Sequence, residues 1–355
     1  MAVTELQVRN LRCLSEVTIE PDPGLNLITG PNASGKTSLL EAIYILGRGR
    51  SFRAPRLSAV VRTGQSAAVV FAQLRAEQCP GRLGIEFGNQ GLRIQIDGET
   101  GGSMADLIQA LPVQLIDPEV HELIQGGPGQ RRRFMDWGVF HVKHEFLAGW
   151  RRFRRALQQR NAALRQSSDW HAIQAWDSDL LAGAQVVDRA RSEYISELAP
   201  IFSELAAKIL NVAANMQYRA GWVDGQTYPE ALIAGFERDR ALGSTQTGPH
   251  RAELVLTVDD SPARHRLSRG QQKMLAACLI LAQNALVGSM LKKPMLLLVD
   301  EPAAELDAAH LDALIHGIAA ANAQVFMTAL SDHVLPVPGS CRTFHVEHGQ
   351  IPNLL

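Results

Sequence analysis

Eight residues near the N-terminus, GPNASGKT at 30–37, constrain this chain more than any other stretch. They fit the pattern G-x-x-x-x-G-K-[ST], follow a compact apolar strand predicted at 25–29 and precede a helix predicted over 36–46. The two glycines allow tight turns that point backbone N–H groups at phosphate oxygens, and the helix N-terminus adds its positive dipole end. A chance glycine turn would have both flanking elements only by coincidence. The stretch therefore predicts an α/β unit that binds a nucleotide.

Within this loop, Lys36 is expected to reach the β- and γ-phosphates and to act in catalysis, and the Thr37 hydroxyl is expected to bind Mg²⁺. The candidate nucleotide-binding residues here are Gly30, Pro31, Asn32, Ala33, Ser34, Gly35, Lys36, Thr37 and Ser38.

The stretch MLLLVDEP (295–302) supplies the second half of the predicted site. The apolar run MLLLV predicts a buried parallel strand. Acids at the carboxyl end of such a strand lie where open α/β sheets bind ligands. We expect Asp300 to hold Mg²⁺ and Glu301 to orient or deprotonate the attacking water. The alternative is two solvated acids at a strand end.

The stretch RLSRGQQKMLAACLILAQ (266–283) predicts a second anion site. Ser268 is a good N-cap for a helix with an apolar face, and Gly270 lets the backbone approach a ligand closely. A second copy of the chain could thus complete the nucleotide site, with Ser268, Arg269, Gly270 and Gln271 as its contribution. The alternative is an ordinary capped helix.

The chain order predicts one α/β domain made from both chain ends. Alternating segments at 57–98 predict an antiparallel sheet, residues 131–240 read as several helices, and strands return at 252–258, 294–302 and 323–330. We predict a head at 1–120 with 245–355 and a helical insertion domain at 121–244. Its helices are expected to break at Ser167–Ser168, Gly183 and Pro200.

Bulk composition points to a soluble, cytoplasmic chain. Hydrophobic residues make up 46% and charged residues 20%, and no apolar run reaches the roughly 20 residues that span a bilayer. Its beginning does not read as a secretory signal. Four scattered cysteines, without a C-x-x-C pair, predict reduced thiols and no metal site. We expect no membrane partner.

The net charge of −1 hides an uneven distribution. Clustered arginines are candidates for contacts with a nucleic-acid backbone, and nothing resembles a base-reading module. Each cluster has the alternative of a solvated face or of internal salt bridges, and Arg131–Arg133 could instead brace the insertion. The candidate DNA contacts are Arg48, Arg50 and Arg53, with Arg56 beside them, and Arg151, Arg152, Arg154 and Arg155.

The motifs together resemble a known family. L-S-x-G-Q before a strand that ends in D-E is similar to ABC-type ATPases, and ITGPNASGKTSLLEAIYIL resembles their SMC and DNA-repair branch. The stretches PEVHELIQGGPGQRRRFMD (118–136), TGPHRAEL (247–254), LSRGQQK and DEPAAELD are similar to the RecF DNA replication and repair family, in the family's order.

This resemblance implies an ABC-type ATPase head with a mixed sheet and an antiparallel sheet. It implies an ATP-dependent DNA-binding protein that dimerises when ATP is bound and acts at single-strand gaps, helping RecA loading with RecR and RecO. By motif position, Arg12 is expected to approach the phosphates, Asn32 to lie near the γ-phosphate, and Asp307 to belong to a loop that crosses the dimer interface.

Two departures from the ATPase pattern suggest slow hydrolysis. Asp117 or Glu119 stands where a glutamine is expected, and FMTALSDH lacks the usual switch histidine. Thr328 ends that strand, and His333 is a possible substitute. A transporter nucleotide-binding subunit is the main alternative, followed by a small-molecule kinase and a non-enzymatic DNA scaffold.

Overall fold

The computed structural model of the chain describes residues 2–75, 81–166, 170–331 and 335–351. The chain divides into two compact units. Met1–Val120 together with Ala276–Leu355 is called the head unit here, and His121–Leu275 is called the inserted unit. Both chain ends thus build one unit, and the observed division falls at Leu275 where the sequence suggested 244.

An antiparallel sheet forms one part of the head unit, with strand order β2-β1-β4-β5-β6-β7. Buried and less buried side chains alternate along β4, which is the pattern of a sheet with one face on a core. The strands are β1 (Ala2–Leu11), β2 (Leu14–Ile19), β4 (Ala67–Arg75), β5 (Arg82–Gly88), β6 (Gly91–Ile96) and β7 (Glu99–Thr100).

A parallel sheet of order β14-β3-β13-β12-β8 forms the other part of the head unit. Its strands are β3 (Leu25–Thr29), β8 (Val113–Ile116), β12 (Met295–Val299), β13 (Ala323–Thr328) and β14 (Arg342–His345). All five β12 residues are buried, as the continuous apolar run predicts. The parallel register brings the ends of β8, β12 and β13 to one edge.

Helices of the head unit include the one that the sequence predicts over 36–46. They are α1 (Lys36–Arg48), α2 (Met104–Ala110) and α12 (Ala308–Ala319), with a 3₁₀ turn at Leu57–Val60. Helix α11 (Arg269–Leu291) begins in the inserted unit and ends in the head unit. This helix alone, among the described residues, is long and apolar enough to span a membrane, but 78% of its most apolar window is buried inside the protein.

The inserted unit contains helices and a three-stranded antiparallel sheet of order β11-β10-β9. Its helices are α3 (Glu122–Gln125), α4 (Pro128–Val142), α5 (Phe146–Gln166), α6 (Trp170–Gln174), α7 (Asp177–Leu210), α8 (Tyr228–Ala234), α9 (Phe236–Leu242) and α10 (Ala263–Arg266). Its strands are β9 (Ala214–Arg219), β10 (Glu253–Val258) and β11 (Ser261–Pro262), with a 3₁₀ turn at Pro249–Arg251.

Two expectations for this unit are wrong. The segment 131–240 is not wholly helical, because β9 pairs with β10 over Ala214–Arg219. Helix α7 also runs unbroken through Gly183 and Pro200. A Cβ at Gly183 would lie 2.5 Å from the backbone nitrogen of Phe153 on α5, so this glycine permits close helix packing and is not a break. The third expected break, Ser167–Ser168, lies outside the described residues.

Candidate nucleotide site

The phosphate loop joins β3 to α1 in a conformation that requires glycine. Gly30 has φ 142°, and a Cβ there would lie 2.2 Å from the backbone oxygen of Val346. Lys36, only 4% exposed, donates through Nζ to the backbone oxygens of Gly30 at 2.8 Å and Pro31 at 2.9 Å. The ammonium group is thus held inside the loop, where a phosphate oxygen could replace either carbonyl.

The other loop residues divide by exposure. Pro31, Asn32 and Ala33 are exposed at the loop apex, whereas Ser34 and Ser38 are buried. Among the described residues the Ser34 hydroxyl has no hydrogen-bond partner. A buried polar atom of this kind is costly unless something satisfies it.

Two hydroxyl groups converge on the carboxylate that follows β12. Thr37 Oγ1 donates to Asp300 Oδ1 at 3.0 Å, and Thr328 Oγ1 donates to the same oxygen at 2.8 Å. Burial raises the pKa of Asp300, and the two hydroxyl bonds oppose that rise. The structure thus brings together Thr37, on the phosphate loop, and Asp300, as the sequence predicts for a metal-binding pair.

The neighbouring acid, Glu301, is exposed, with a backbone in the left-handed region at φ 48°. Its N–H donates to Thr328 Oγ1 at 2.8 Å. Its exposed carboxylate and fixed backbone suit a residue that must reach a ligand beyond the strand end. His333, the suggested substitute for the switch histidine, lies outside the described residues.

A further carboxylate stands at the end of β8. Asp117 lies beside Asp300, because Ile116 pairs with Val299 in the parallel ladder. Burial raises the pKa of Asp117 to about 6, and the negative charges of Asp300 and Glu119 add to the rise. One of the two acids that stand where the ATPase pattern has glutamine therefore lies close to another acid.

Arg12 contacts the phosphate-loop helix through a buried acid. It donates to Glu41 Oε2 at 2.6 Å and to Oε1 at 3.0 Å, and the Glu41 side chain is fully buried. Ser51 also donates to Glu41, and its oxygen accepts the backbone N–H groups of Arg53 and Ala54. The sequence reasoning missed Glu41 and Ser51, although an acid inside a helix that is apolar on nearly every side was an available signal.

The arginines at the end of α1 and after it do not form one exposed cluster. Arg48 donates to the backbone oxygen of Val113 at 2.8 Å and to Gln114 Oε1 at 3.0 Å, and burial lowers its pKa to about 10. These internal bonds argue against the expected DNA contact at Arg48. Arg50 and Arg53 are exposed, and the positive charge of Arg53 slightly opposes the rise in the pKa of Asp300. Arg53 therefore lies in electrostatic range of the nucleotide site.

The arginines of α5 are exposed on the inserted unit. Arg152 pairs with Asp179 at 2.6 Å, and Arg154 lies over the ring of Trp150 at 5.0 Å. Arg151 and Arg155 make no ion pair within the described chain. Exposed and unpaired guanidinium groups on one helix are suited to phosphate contacts.

Arg131 and Arg132 brace the inserted unit, which was the alternative for that cluster. Arg131 donates to both oxygens of Glu253, at 2.8 and 2.9 Å, and to the backbone oxygen of Gly126 at 2.7 Å. Arg132 donates to the backbone oxygen of Ala252 at 2.7 Å. These hydrogen bonds therefore join the two stretches 118–136 and 247–254, which both resemble the RecF family in sequence.

The LSRGQQ stretch forms the expected helix start. Ser268 Oγ accepts the N–H of Gln271 at 3.4 Å, and Gln271 Oε1 accepts the N–H of Ser268 at 3.1 Å, which is a reciprocal cap. Ser268 and Arg269 are exposed and Gly270 is partly exposed. Asp307 likewise caps α12, accepting the His310 N–H at 2.9 Å, and these hydrogen bonds lower the pKa of Asp307.

Comparisons with known proteins agree with this geometry. The sequence profile described as "RecF/RecN/SMC N terminal domain" matches residues 2–350. The chain is 41% identical over 362 residues to the DNA replication and repair protein RecF of Stutzerimonas stutzeri, covering 100% of this chain and 98% of that protein. It is 40% identical over 356 residues to RecF of Thioalkalivibrio sulfidiphilus, covering 99% of each.

Solved structures show the same fold. One, described as the recombination mediator protein RecF-ATPrS in the RecFOR pathway, has a TM-score of 0.88 at 24% identity and covers 99% of this chain and 98% of that chain. An Smc head domain of Pyrococcus furiosus, bound to the C-terminal domain of ScpA, has a TM-score of 0.60 at 16% identity, over 99% and 95% of the two chains. The ABC-type ATPase head fold is thus confirmed. The transporter alternative is set aside, because the full-length relatives are DNA replication and repair proteins.

Proposed function

This chain belongs to the RecF family, and from that premise we propose that it is a cytoplasmic, ATP-dependent DNA-binding protein of recombinational repair. It binds ATP, dimerises in the ATP-bound form, acts at single-strand gaps and helps RecA loading together with RecR and RecO. The free thiols of Cys13, Cys278 and Cys341 support a reducing compartment. Cys79 lies outside the described residues.

The observation that carries the proposal is the arrangement of Lys36, Thr37, Asp300 and Glu301 at one edge of the head unit. The buried ammonium of Lys36 provides positive charge for the terminal phosphates of ATP. Glu301, beyond the end of β12, can orient the attacking water and take its proton. The chain thus holds the groups that ATP hydrolysis needs.

The residues also fit magnesium. Thr37 Oγ1 and Asp300 Oδ1 are 3.0 Å apart. Adjacent ligands of an octahedral Mg²⁺, each about 2.1 Å from the ion, would be separated by about 3.0 Å. When bound, Mg²⁺ supplies positive charge to the phosphates; Thr37 and Asp300 would hold it.

Dimerisation is supported by the second anion site. Ser268, Arg269 and Gly270 stand at an accessible helix N-terminus, whose amides and dipole favour an anion. A second copy would present them to the γ-phosphate held by Lys36. Exposed Asp307, already fixed as a cap, would lie in the loop that meets the partner.

Slow hydrolysis follows from the two departures. Asp117 or Glu119 stands where a neutral glutamine is expected, and Thr328 ends the strand that usually leads to a switch histidine. We expect a switch whose ATP-bound dimer persists, with turnover well below that of transport ATPases.

Sedimentation velocity tests this function. Glu301→Gln removes the group that takes a proton but keeps its size, so ATP and gapped DNA should shift this variant to a dimer that persists. Lys36→Ala is the matched control, because it should bind ATP poorly and remain a monomer. A Glu301→Gln protein that sediments identically with and without ATP would refute the proposal and favour the kinase alternative.

A further inference from the structure

One buried hydroxyl group connects both acids of the candidate site. Thr328 Oγ1 accepts the backbone N–H of Glu301 at 2.8 Å and donates its own hydrogen to Asp300 Oδ1 at 2.8 Å. Thr328 is fully buried at the end of β13. A hydroxyl has one hydrogen to donate, so these two bonds fix its orientation.

The residue held by this hydroxyl has an unusual backbone. Glu301 has φ 48°, a left-handed conformation that residues with a side chain seldom adopt. Such a conformation persists where the surroundings impose it. A further bond, from the N–H of Ala304 to the backbone oxygen of Glu301 at 3.0 Å, closes the turn that follows. The Thr328 bond precedes this turn and anchors its first residue to the sheet.

We propose that Thr328 is a positioning residue for ATP hydrolysis, setting the direction in which the Glu301 carboxylate leaves the strand. This rests on the proposed function, in which Glu301 orients water. A carboxylate on an exposed turn would otherwise sample several directions, and misplacement of about 1 Å can lower a rate by about a hundredfold. Thr328 would thus orient Glu301 from the end of β13, the strand after which the usual switch histidine is missing.

The alternative is that Thr328 only fills a buried strand position, for which its β-branched shape is well suited. Valine has the same shape but no hydroxyl, whereas serine keeps the hydroxyl and loses a methyl group. The two substitutions therefore separate packing from positioning.

The experiment compares Thr328→Val and Thr328→Ser with the parent, all as the full chain. We expect Thr328→Val to lower kcat about tenfold to a hundredfold while ATP affinity changes less than about threefold, since Lys36 and the phosphate loop are untouched. Thr328→Ser should recover most of kcat. In sedimentation with ATP, Thr328→Val should give a persistent dimer, as Glu301→Gln does. If Thr328→Val is insoluble, Thr328→Ala carries the same expectation.

A parent-like kcat in Thr328→Val, or equal losses in Thr328→Val and Thr328→Ser, would overturn the inference. Thr328 could instead act through Asp300 and the metal, and raising the Mg²⁺ concentration tests this. If high Mg²⁺ restores the full kcat of Thr328→Val, the proposal that Thr328 positions Glu301 is overturned. Adding Thr328→Val to Glu301→Gln should lower kcat no further, since both changes act through one carboxylate. If the parent itself neither hydrolyses ATP nor dimerises, the proposed function fails instead.

Discussion

Buried charges are arranged differently in the inserted unit and at the nucleotide edge of the head unit. In the inserted unit, Arg131 binds both oxygens of Glu253, and Arg160, 1% exposed, binds Asp177 and Asp239 at 2.9 and 2.8 Å. In the head unit, by contrast, Asp117 and Asp300 place like charges beside each other.

The difference separates structural from functional ionisable groups. Opposite charges that satisfy each other stabilise a packed arrangement only when both remain, because losing one partner leaves an uncompensated buried charge. Like charges at a strand end raise each other's pKa and favour the binding of a cation. Buried arginines of the inserted unit, such as Arg160, are thus expected to affect folding, and Asp117 and Asp300 of the head unit are expected to affect ligand binding and pH response.

The largest expected effect is the loss of stability when Arg160 is replaced. Arg160→Met should lower the free energy of unfolding by about 3–5 kcal/mol, because fully buried Asp239 would lose its cation. Arg152→Met on the same helix is the matched control: its pair with Asp179 is about half exposed and should contribute about 0–1 kcal/mol. Urea denaturation measures both. Equal, small losses would break the comparison between the units.

A smaller expected effect is on the pH dependence of stability. The pKa of Asp117 is raised to about 6, so the folded state binds the carboxyl proton more tightly than the unfolded state does. The contribution of Asp117 to stability therefore falls as pH rises from about 4 to 6. Burial lowers the pKa of His250 in the inserted unit to about 4, so its contribution is present above about 6.5 and is lost as pH falls to 4. Each effect is at most about 3 kcal/mol.

The two groups therefore oppose each other over one pH range. Asp117→Asn should make stability rise more steeply between pH 4 and 6, whereas His250→Gln should make it rise less. Thermal unfolding of both variants across this range, without nucleotide, measures the two slopes. If both variants change the slope in the same direction, the opposite pKa shifts of Asp117 and His250 are contradicted.

Sequence reasoning succeeded where function is encoded locally. The phosphate loop, the β12 acids and the Ser268 cap each lie within a few residues of the pattern that identifies them, and the structure places them as expected. The predicted roles in binding and catalysis stay predictions.

It failed where a role depends on a distant segment. Arg48 reads as a surface charge until β8 is placed beside α1, which gives its guanidinium internal acceptors. Strand β9 is six residues among helices, and only its pairing with β10 identifies it. Similarly, the break expected at Gly183 assumed an isolated helix, whereas packing of α7 against Phe153 uses the missing side chain.

The smallest expected effect is on DNA affinity, and it extends the comparison of the two units to their exposed arginines. Arg151 and Arg155 on the inserted unit are exposed and without an ion pair in the described chain, so replacing both with Glu should weaken DNA binding and lower the salt dependence by about two phosphate contacts. ATP affinity should stay unchanged, because the phosphate loop belongs to the head unit. Arg93→Glu, at an exposed position on strand β6 of the head unit, controls for net charge. Fluorescence anisotropy with gapped DNA across a salt series would measure both slopes. If Arg93→Glu weakens binding as strongly per charge as the α5 variant does, then overall charge explains the effect and α5 loses its assignment.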